Sequence, residues 1–287
     1  MITISHIYKE RAKGRAVTGL AVACALLLAS CSTSEVTSSD FVDDIKPADV
    51  LYNQALANMD TGDLKEASKR LTELDQQHPY SEYSRKSLIL STFINYRQGK
   101  YSDAIGTGKR FIQLYPGHKD TAYAQYLIGM SYFRRMPHIT RDQTVTGNAY
   151  NAMNTLVQNY PDSEYVEDAK TKMRVTLDQL AGKEMLVGRY YQERREFLAA
   201  INRFRKVIER MQTTRHVEEA LARLTECYYS IGLAGEAQTA AAILGHNYPE
   251  SQWYKDSFAL LQKGGLEPKE NTGSWLSRAG RKIKKTS

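Results

Sequence analysis

The sequence predicts an all-α protein: a solenoid of five helical hairpins, with one long helix joining the third repeat to the fourth. Three observations carry this. The stretch Arg85–Pro116, RKSLILSTFINYRQGKYSDAIGTGKRFIQLYP, holds two helical patterns around a break at Gly99-Lys100. After the break come Tyr101, Ala104, Phe111 and a closing Tyr115-Pro116. Glycine suits the tight turn, a small alanine lets two helices approach, and proline ends the second helix. The same order recurs: Gly62-Asp63-Leu64, Ala67 and Pro79 precede it, and Ala67 to Ala104 and Pro79 to Pro116 are both shifts of 37. Finally, residues 162–193 hold no proline and read as one uninterrupted helix.

The remaining elements follow in order. Repeat one runs from Ala48 to about Pro79, with Pro47 suited to open its first helix. Repeat two is the stretch above. Repeat three opens with Ala122–Phe133 and closes on Ala149, Leu156 and Tyr160-Pro161, 45 residues after Tyr115-Pro116. The excess of 8 over the 37-residue period falls in the loop Met136–Thr146, and insertions in solenoids map to loops, often on a binding face. Asp162-Ser163 is placed to cap the long helix, expected from Ser163 to about Glu193. Its glycines, Gly182 and Gly188, are its weak points. Phe197 and Ala200 open the second helix of repeat four, where Gln212 stands in the slot that proline fills elsewhere. Gly232, Ala237 and Tyr248-Pro249 mark repeat five. The hairpin pattern is similar to the tetratricopeptide (TPR) unit, a helix, a tight turn and a second antiparallel helix.

Five segments result: 1–30, 31–46, 47–161 with repeats one to three, 162–262 with the joining helix and repeats four and five, and 263–287. The first is a targeting segment. Lys9, Arg11, Lys13 and Arg15 precede a short apolar run, Val17–Leu28, and Leu28-Ala29-Ser30-Cys31 matches the lipobox of bacterial lipoproteins. Lipidation is expected at Cys31, where several acyl chains hold a protein firmly while one binds marginally. Ser32 after it, rather than Asp, points to the periplasmic leaflet of the outer membrane. Residues 32–44, rich in Ser, Thr and Asp, read as a flexible tether. Cys24 leaves with the signal, so Cys227 has no partner and is expected to be a small buried apolar residue.

The formal charge is +7. Subtracting +3 for residues 1–30 and +5 for residues 263–287 leaves −1 for the folded middle. The basic character therefore sits in the tail, which after Gly264-Gly265 and Pro268 is expected to be disordered and solvated. Trp275-Leu276 and the following cations also suit an anionic lipid surface or an acidic partner.

Enzyme chemistry finds no support. Gly106-Thr107-Gly108-Lys109 lacks the first Gly and the Ser/Thr of a phosphate-binding loop and lies within a helix. The six His never pair at metal-ligand spacing, so neither metal nor cofactor is expected. The only concentrated basic segment is the tail, so nucleic acid is not an expected partner.

The lipobox, the tether, five TPR-like units, the insertion in the third and the joining helix together resemble the BamD family. HPYSEYS after repeat one, RFIQLYPGH closing repeat two and YYQERREFLAAINRF opening repeat four carry the likeness. The resemblance implies a scaffold of the outer-membrane β-barrel assembly machinery, not an enzyme. It implies a C-terminal half that binds the last POTRA domain of BamA, and other lipoproteins of the machinery as partners. The pair Asn202-Arg203 matches the family's Asn-Arg motif, whose Arg pairs with an acidic POTRA residue. The N-terminal half is implied to engage C-terminal segments of unfolded outer-membrane barrel proteins.

In TPR folds the first helix of each hairpin lines the inner face. Here that places Tyr52, Leu56 and Met59 of repeat one on that face, with Ile89, Phe93, Tyr96 and Arg97 of repeat two. Repeat three adds Tyr123, Tyr126, Met130, Phe133 and Arg134. Such a surface suits an extended, aromatic-ended peptide, and Arg97 or Arg134 suits its terminal carboxylate. Ser91, Thr92 and Asn95 fall on packing positions of repeat two, so a helix turned by one residue would carry part of this set into the core. A pilotin-like lipoprotein and a periplasmic coordinator of cell-wall synthesis remain alternative readings.

Overall fold

Each hairpin is closed by a turn that the sequence marks. The computed structural model describes residues 45–281 and 283. Repeat one pairs α1 (Ala48–Asp60) with α2 (Leu64–Gln77), and repeat two pairs α3 (Glu82–Arg97) with α4 (Tyr101–Leu114). Gly62 and Gly99 sit between the helices at φ 82° and 74°, the left-handed region that glycine enters without a Cβ penalty. Repeat three pairs α5 (Thr121–Arg134) with α6 (Thr144–Asn159). The long helix α7 (Val166–Glu193) closes on α6 at one end and pairs with α8 (Phe197–Arg210) at the other. Repeat five pairs α9 (Val217–Ser230) with α10 (Ala234–Asn247), and α11 (Gln252–Lys263) packs on both. Among the described residues every regular element is a helix, and from α1 to α11 successive helices pack as neighbours, so the hairpin solenoid stands.

The small residues sit where helices meet. Ala67, Ala104, Ala149, Ala200 and Ala237 are all fully buried. The glycines of α7 are close contacts rather than weak points. A Cβ on Gly188 would lie 2.4 Å from the Phe204 ring, and one on Gly182 would lie 2.7 Å from Ile139. Helix α7 begins at Val166, later than Ser163, because residues 161–165 form turns. The insertion is shorter at its end than expected, since α6 starts at Thr144, and it is pinned to α7. Gln179 donates to the Pro137 carbonyl at 2.7 Å, and Lys183 donates to the Thr140 carbonyl at 2.9 Å. It braces the joining helix.

The two halves differ in their cores. From Ala181 to Ile283 one apolar cluster is continuous. In repeats one to three the apolar residues fall into smaller clusters, separated by buried Ser84, Ser87, Thr92, Thr121 and Ser131. The hydroxyls of Ser87, Thr92, Thr121 and Ser131 are satisfied within their own helices or turns: Thr92 donates to the Leu88 carbonyl at 2.8 Å and Ser131 to that of Leu127 at 2.7 Å.

The tail requires a correction. Residues 266–281 are not a disordered appendage. Helix α12 (Trp275–Gly280) docks on α8 and α10, with Leu276 fully buried and Ile283 6% exposed. Ser274 donates to Glu236 at 2.6 Å, and the Trp275 indole N–H donates to the Tyr228 hydroxyl at 3.2 Å. The missing proline of repeat four is part of this dock, because the Gln212 amide donates to the carbonyls of Ile208 and Ala279.

Candidate functional site

Helices α1, α3, α5 and the start of α7 lie side by side, which brings their aromatic side chains into one stripe. At one end the Tyr52 and Tyr83 rings are 5.5 Å apart, with the Lys86 ammonium 4.9 Å from the Tyr83 ring. In the middle, Phe93 and Tyr96 are half-buried and Arg97 is exposed, its guanidinium 5.6 Å from the Phe93 ring. Exposed Arg134 donates from Nε to the Tyr96 hydroxyl at 3.4 Å, linking α5 to α3. At the far end Tyr126 stacks on Tyr165 at 4.8 Å, and Tyr123 lies 5.3 Å from the same ring.

The register question of α3 is answered by burial. Thr92 is fully buried and faces Thr107 of α4, the two hydroxyls 3.0 Å apart, while Phe93 and Tyr96 are half-buried and Arg97 is exposed. Of the polar residues only Thr92 is buried, Ser91 and Asn95 being partly exposed, and Phe93, Tyr96 and Tyr126 each rest one side on a core cluster while keeping part of the ring at the surface. Tyr52, Tyr126 and Phe133 are half-buried. Met130 is the exception and is corrected here: it is 8% exposed and packs with Met153, Leu156 and Ala169. Gly129 beside it lets Met153 of α6 come close, since a Cβ there would lie 2.7 Å from the Met153 sulfur.

Sequence reasoning missed what α7 adds. The Tyr126 hydroxyl donates to Asp168 at 2.8 Å, and Lys172 reaches Asp168 at 3.1 Å and the Phe133 ring at 5.6 Å. Burial, then the hydrogen bond to Asp168, pushes the Tyr126 phenol well above its ordinary range. Burial pushes up the Tyr123 phenol, and chiefly burial brings that of Tyr165 to about 12. Burial opposes ionisation of Asp168, but hydrogen bonds from Tyr126 and Lys172 hold it below the usual carboxylate range. The phenols thus remain neutral donors at neutral pH, and the stripe is apolar with a cationic edge. No sequence signal placed Asp168 or Tyr165 there, because Asp168 lies in the first turn of α7 and Tyr165 in the irregular turn that leads into it.

The second candidate surface is on α8. Its core side holds Ala200, Phe204 and Val207, all fully buried. Asn202 is exposed and Arg203 is half-exposed. Arg203 Nη1 lies 3.1 Å from Glu184 Oε2 of α7, and Lys206 Nζ lies 3.1 Å from Glu184 Oε1. Arg205 is committed elsewhere, to Glu209 at 2.8 Å and over the Trp275 ring at 4.5 Å. Leu198, 69% exposed, lies one turn before Asn202. Cys227 is buried, and burial first pushes its thiol up to about 12, so it is inert packing. Cys31 lies outside the described residues. No cluster of metal-ligating side chains occurs among the described residues, and no described helix is long and apolar enough to cross a membrane.

Comparison with known proteins matches residues 44–244 to the family model YfiO, described as an outer membrane lipoprotein. The chain is 43% identical over 253 residues to the outer membrane protein assembly factor BamD of Caulobacter vibrioides, covering 88% of this chain and 83% of that protein. It is 33% identical to BamD of Rickettsia prowazekii, covering 83% of this chain and 93% of the relative. It is 31% identical to that of Neisseria meningitidis serogroup A, covering 81% and 91%. A solved structure of the type IV pilus biogenesis factor PilW matches at 14% identity over 73% of this chain and 97% of its own, with a TM-score of 0.21, too low to carry an argument. The hairpin solenoid and the relatives that span nearly all of it agree: the chain belongs to the BamD family, matched by the YfiO model of outer membrane lipoproteins.

Proposed function

We propose that this protein is a lipid-anchored scaffold of outer-membrane protein assembly, not an enzyme. It sits on the periplasmic leaflet, held by acyl chains on Cys31. It takes extended, aromatic-ended segments of unfolded β-barrel proteins on the face formed by α1, α3, α5 and the start of α7. It docks the last POTRA domain of BamA through Asn202 and Arg203 on α8, beside the machinery's other lipoproteins. The relatives' name supplies the assembly role. The observation that carries the peptide reading is the continuous run of half-buried rings from Tyr52 to Phe133, edged by exposed Arg97 and Arg134. Half-buried aromatics offer apolar area at little entropic cost, and a guanidinium binds a terminal carboxylate in a bidentate pair.

The test is photocrosslinking. Photoreactive side chains at Phe93 and Phe133 should label a peptide ending in a barrel protein's C-terminal aromatic residue. One at Leu114, 53% exposed on α4, should not. Labelling at Leu114 alone would overturn the placement of the groove. Recovering a secretin or a cell-wall synthase from membranes in place of BamA would overturn the assembly role.

A further inference from the structure

Helix α12 turns its apolar side chains inward and its charges outward. Leu276, Ala279 and Ile283 are buried in the C-terminal core, and Trp275 is held between the Arg205 guanidinium and the Tyr228 hydroxyl. Arg278 and Arg281 remain on the surface, both exposed and neither paired with a carboxylate among the described residues. In the sequence Lys282, Lys284 and Lys285 follow, and no acidic residue occurs after Glu270. The rest of the mature chain is close to neutral, so this end is a basic pole.

We propose that this polybasic terminus binds anionic phospholipid headgroups and gives the protein a second attachment to the membrane surface. The way the segment folds favours lipid over a protein partner. Protein interfaces are centred on aromatic or aliphatic anchors that fill pockets on the partner. Here the segment's own anchors are already used inside the molecule, and what is left outside is charge. A headgroup layer needs nothing more, since each Lys or Arg near an anionic surface contributes about a fivefold gain in affinity. The same packing excludes insertion of Trp275 into the bilayer, so the binding is electrostatic and salt-sensitive. Docking of α12 also fixes where Arg278 and Arg281 emerge, so these two act together at one place on the surface. The inference stands apart from the peptide groove and from the α8 surface.

The experiment uses the chain from Ser32 onward, which lacks the lipidated cysteine, sedimented with vesicles. It should bind phosphatidylcholine vesicles that contain phosphatidylglycerol, not phosphatidylcholine alone, and should be released by high salt. The double variant R278Q/R281Q should bind at least tenfold more weakly with an unchanged unfolding midpoint. If that midpoint shifts, K284Q/K285Q, at positions that follow Ile283 in the sequence, gives the same comparison. Equal binding to neutral vesicles, no binding, or undiminished binding by these variants overturns the proposal. So does tighter binding to polyglutamate than to the anionic vesicles at the same salt, which would make the terminus a protein-docking segment.

Discussion

Arg203 and Met130 show what a single residue hides from sequence reasoning. Spacing from Ala200 and Phe204 placed Arg203 on a flank of α8, and that placement needs only helical geometry. Its neighbour Glu184 was not legible, because it lies on another helix and reaches Arg203 only after the hairpin closes. Two cations, Arg203 and Lys206, share that one carboxylate, whose side chain is 17% exposed. A guanidinium has five N–H donors, so Arg203 can bind a partner's carboxylate while keeping Glu184. Burial at an interface makes such a pair costly to break, by about 2–5 kcal/mol, while an exposed pair contributes about 0–1 kcal/mol. Arg203→Ala should therefore weaken BamA binding at least tenfold. Arg210→Ala, exposed at the end of the same helix, should have little effect. Arg205 is unsuitable as the control because it also holds Trp275. Small, equal losses in calorimetric titration of both variants would make Arg203 a surface charge only. Met130 failed for the opposite reason. It lies on the border between the two faces of α5, and the approach of Met153 over Gly129 decides which side it joins.

Among the elements, the turns carried most of what could be read. Gly62, Gly99 and Gly232 announce their hairpins, and all three adopt positive φ. Repeat four lacks that mark, and its second helix was found from Phe197 and Ala200 instead. The turn geometry is nevertheless the same: Arg195 occupies the glycine position at φ 61°. A side chain in the left-handed region costs about 1–2 kcal/mol, partly offset because glycine loses about 0.5–1 kcal/mol more entropy on folding. Arg195→Gly should thus stabilise the protein by about 0.5–1 kcal/mol, and Gly99→Ala should destabilise it by a similar amount. Urea unfolding midpoints measure both, and a lower midpoint for Arg195→Gly would mean that the Arg195 side chain makes up the strain elsewhere. The start of α7 was less legible, since Ser163 is a good capping residue by type yet lies in a turn before the helix.

At the scale of the whole molecule, the sequence was readable wherever structure repeats and opaque where it does not. The five hairpins share one pattern, so each copy supports the others. The strap 266–281 has no counterpart, and its binding place is assembled from α8, α9 and α10, whose side chains meet only in the folded chain. Composition alone therefore made it look like a solvated tail. Its packing implies a thermodynamic role that composition did not suggest. Trp275 stacks under Arg205 and donates to Tyr228, while Leu276 next to it is fully buried. Removing a fully buried Trp costs about 3–5 kcal/mol, and this one is half-buried, so Trp275→Ala should cost about 1–3 kcal/mol. In a solenoid each repeat is stabilised mainly by its neighbours. The loss should therefore appear as faster amide hydrogen exchange in α12, α10 and the end of α8, with α1 to α4 as protected as before. Uniformly faster exchange along the chain would show instead that the strap holds the solenoid together as one cooperative unit.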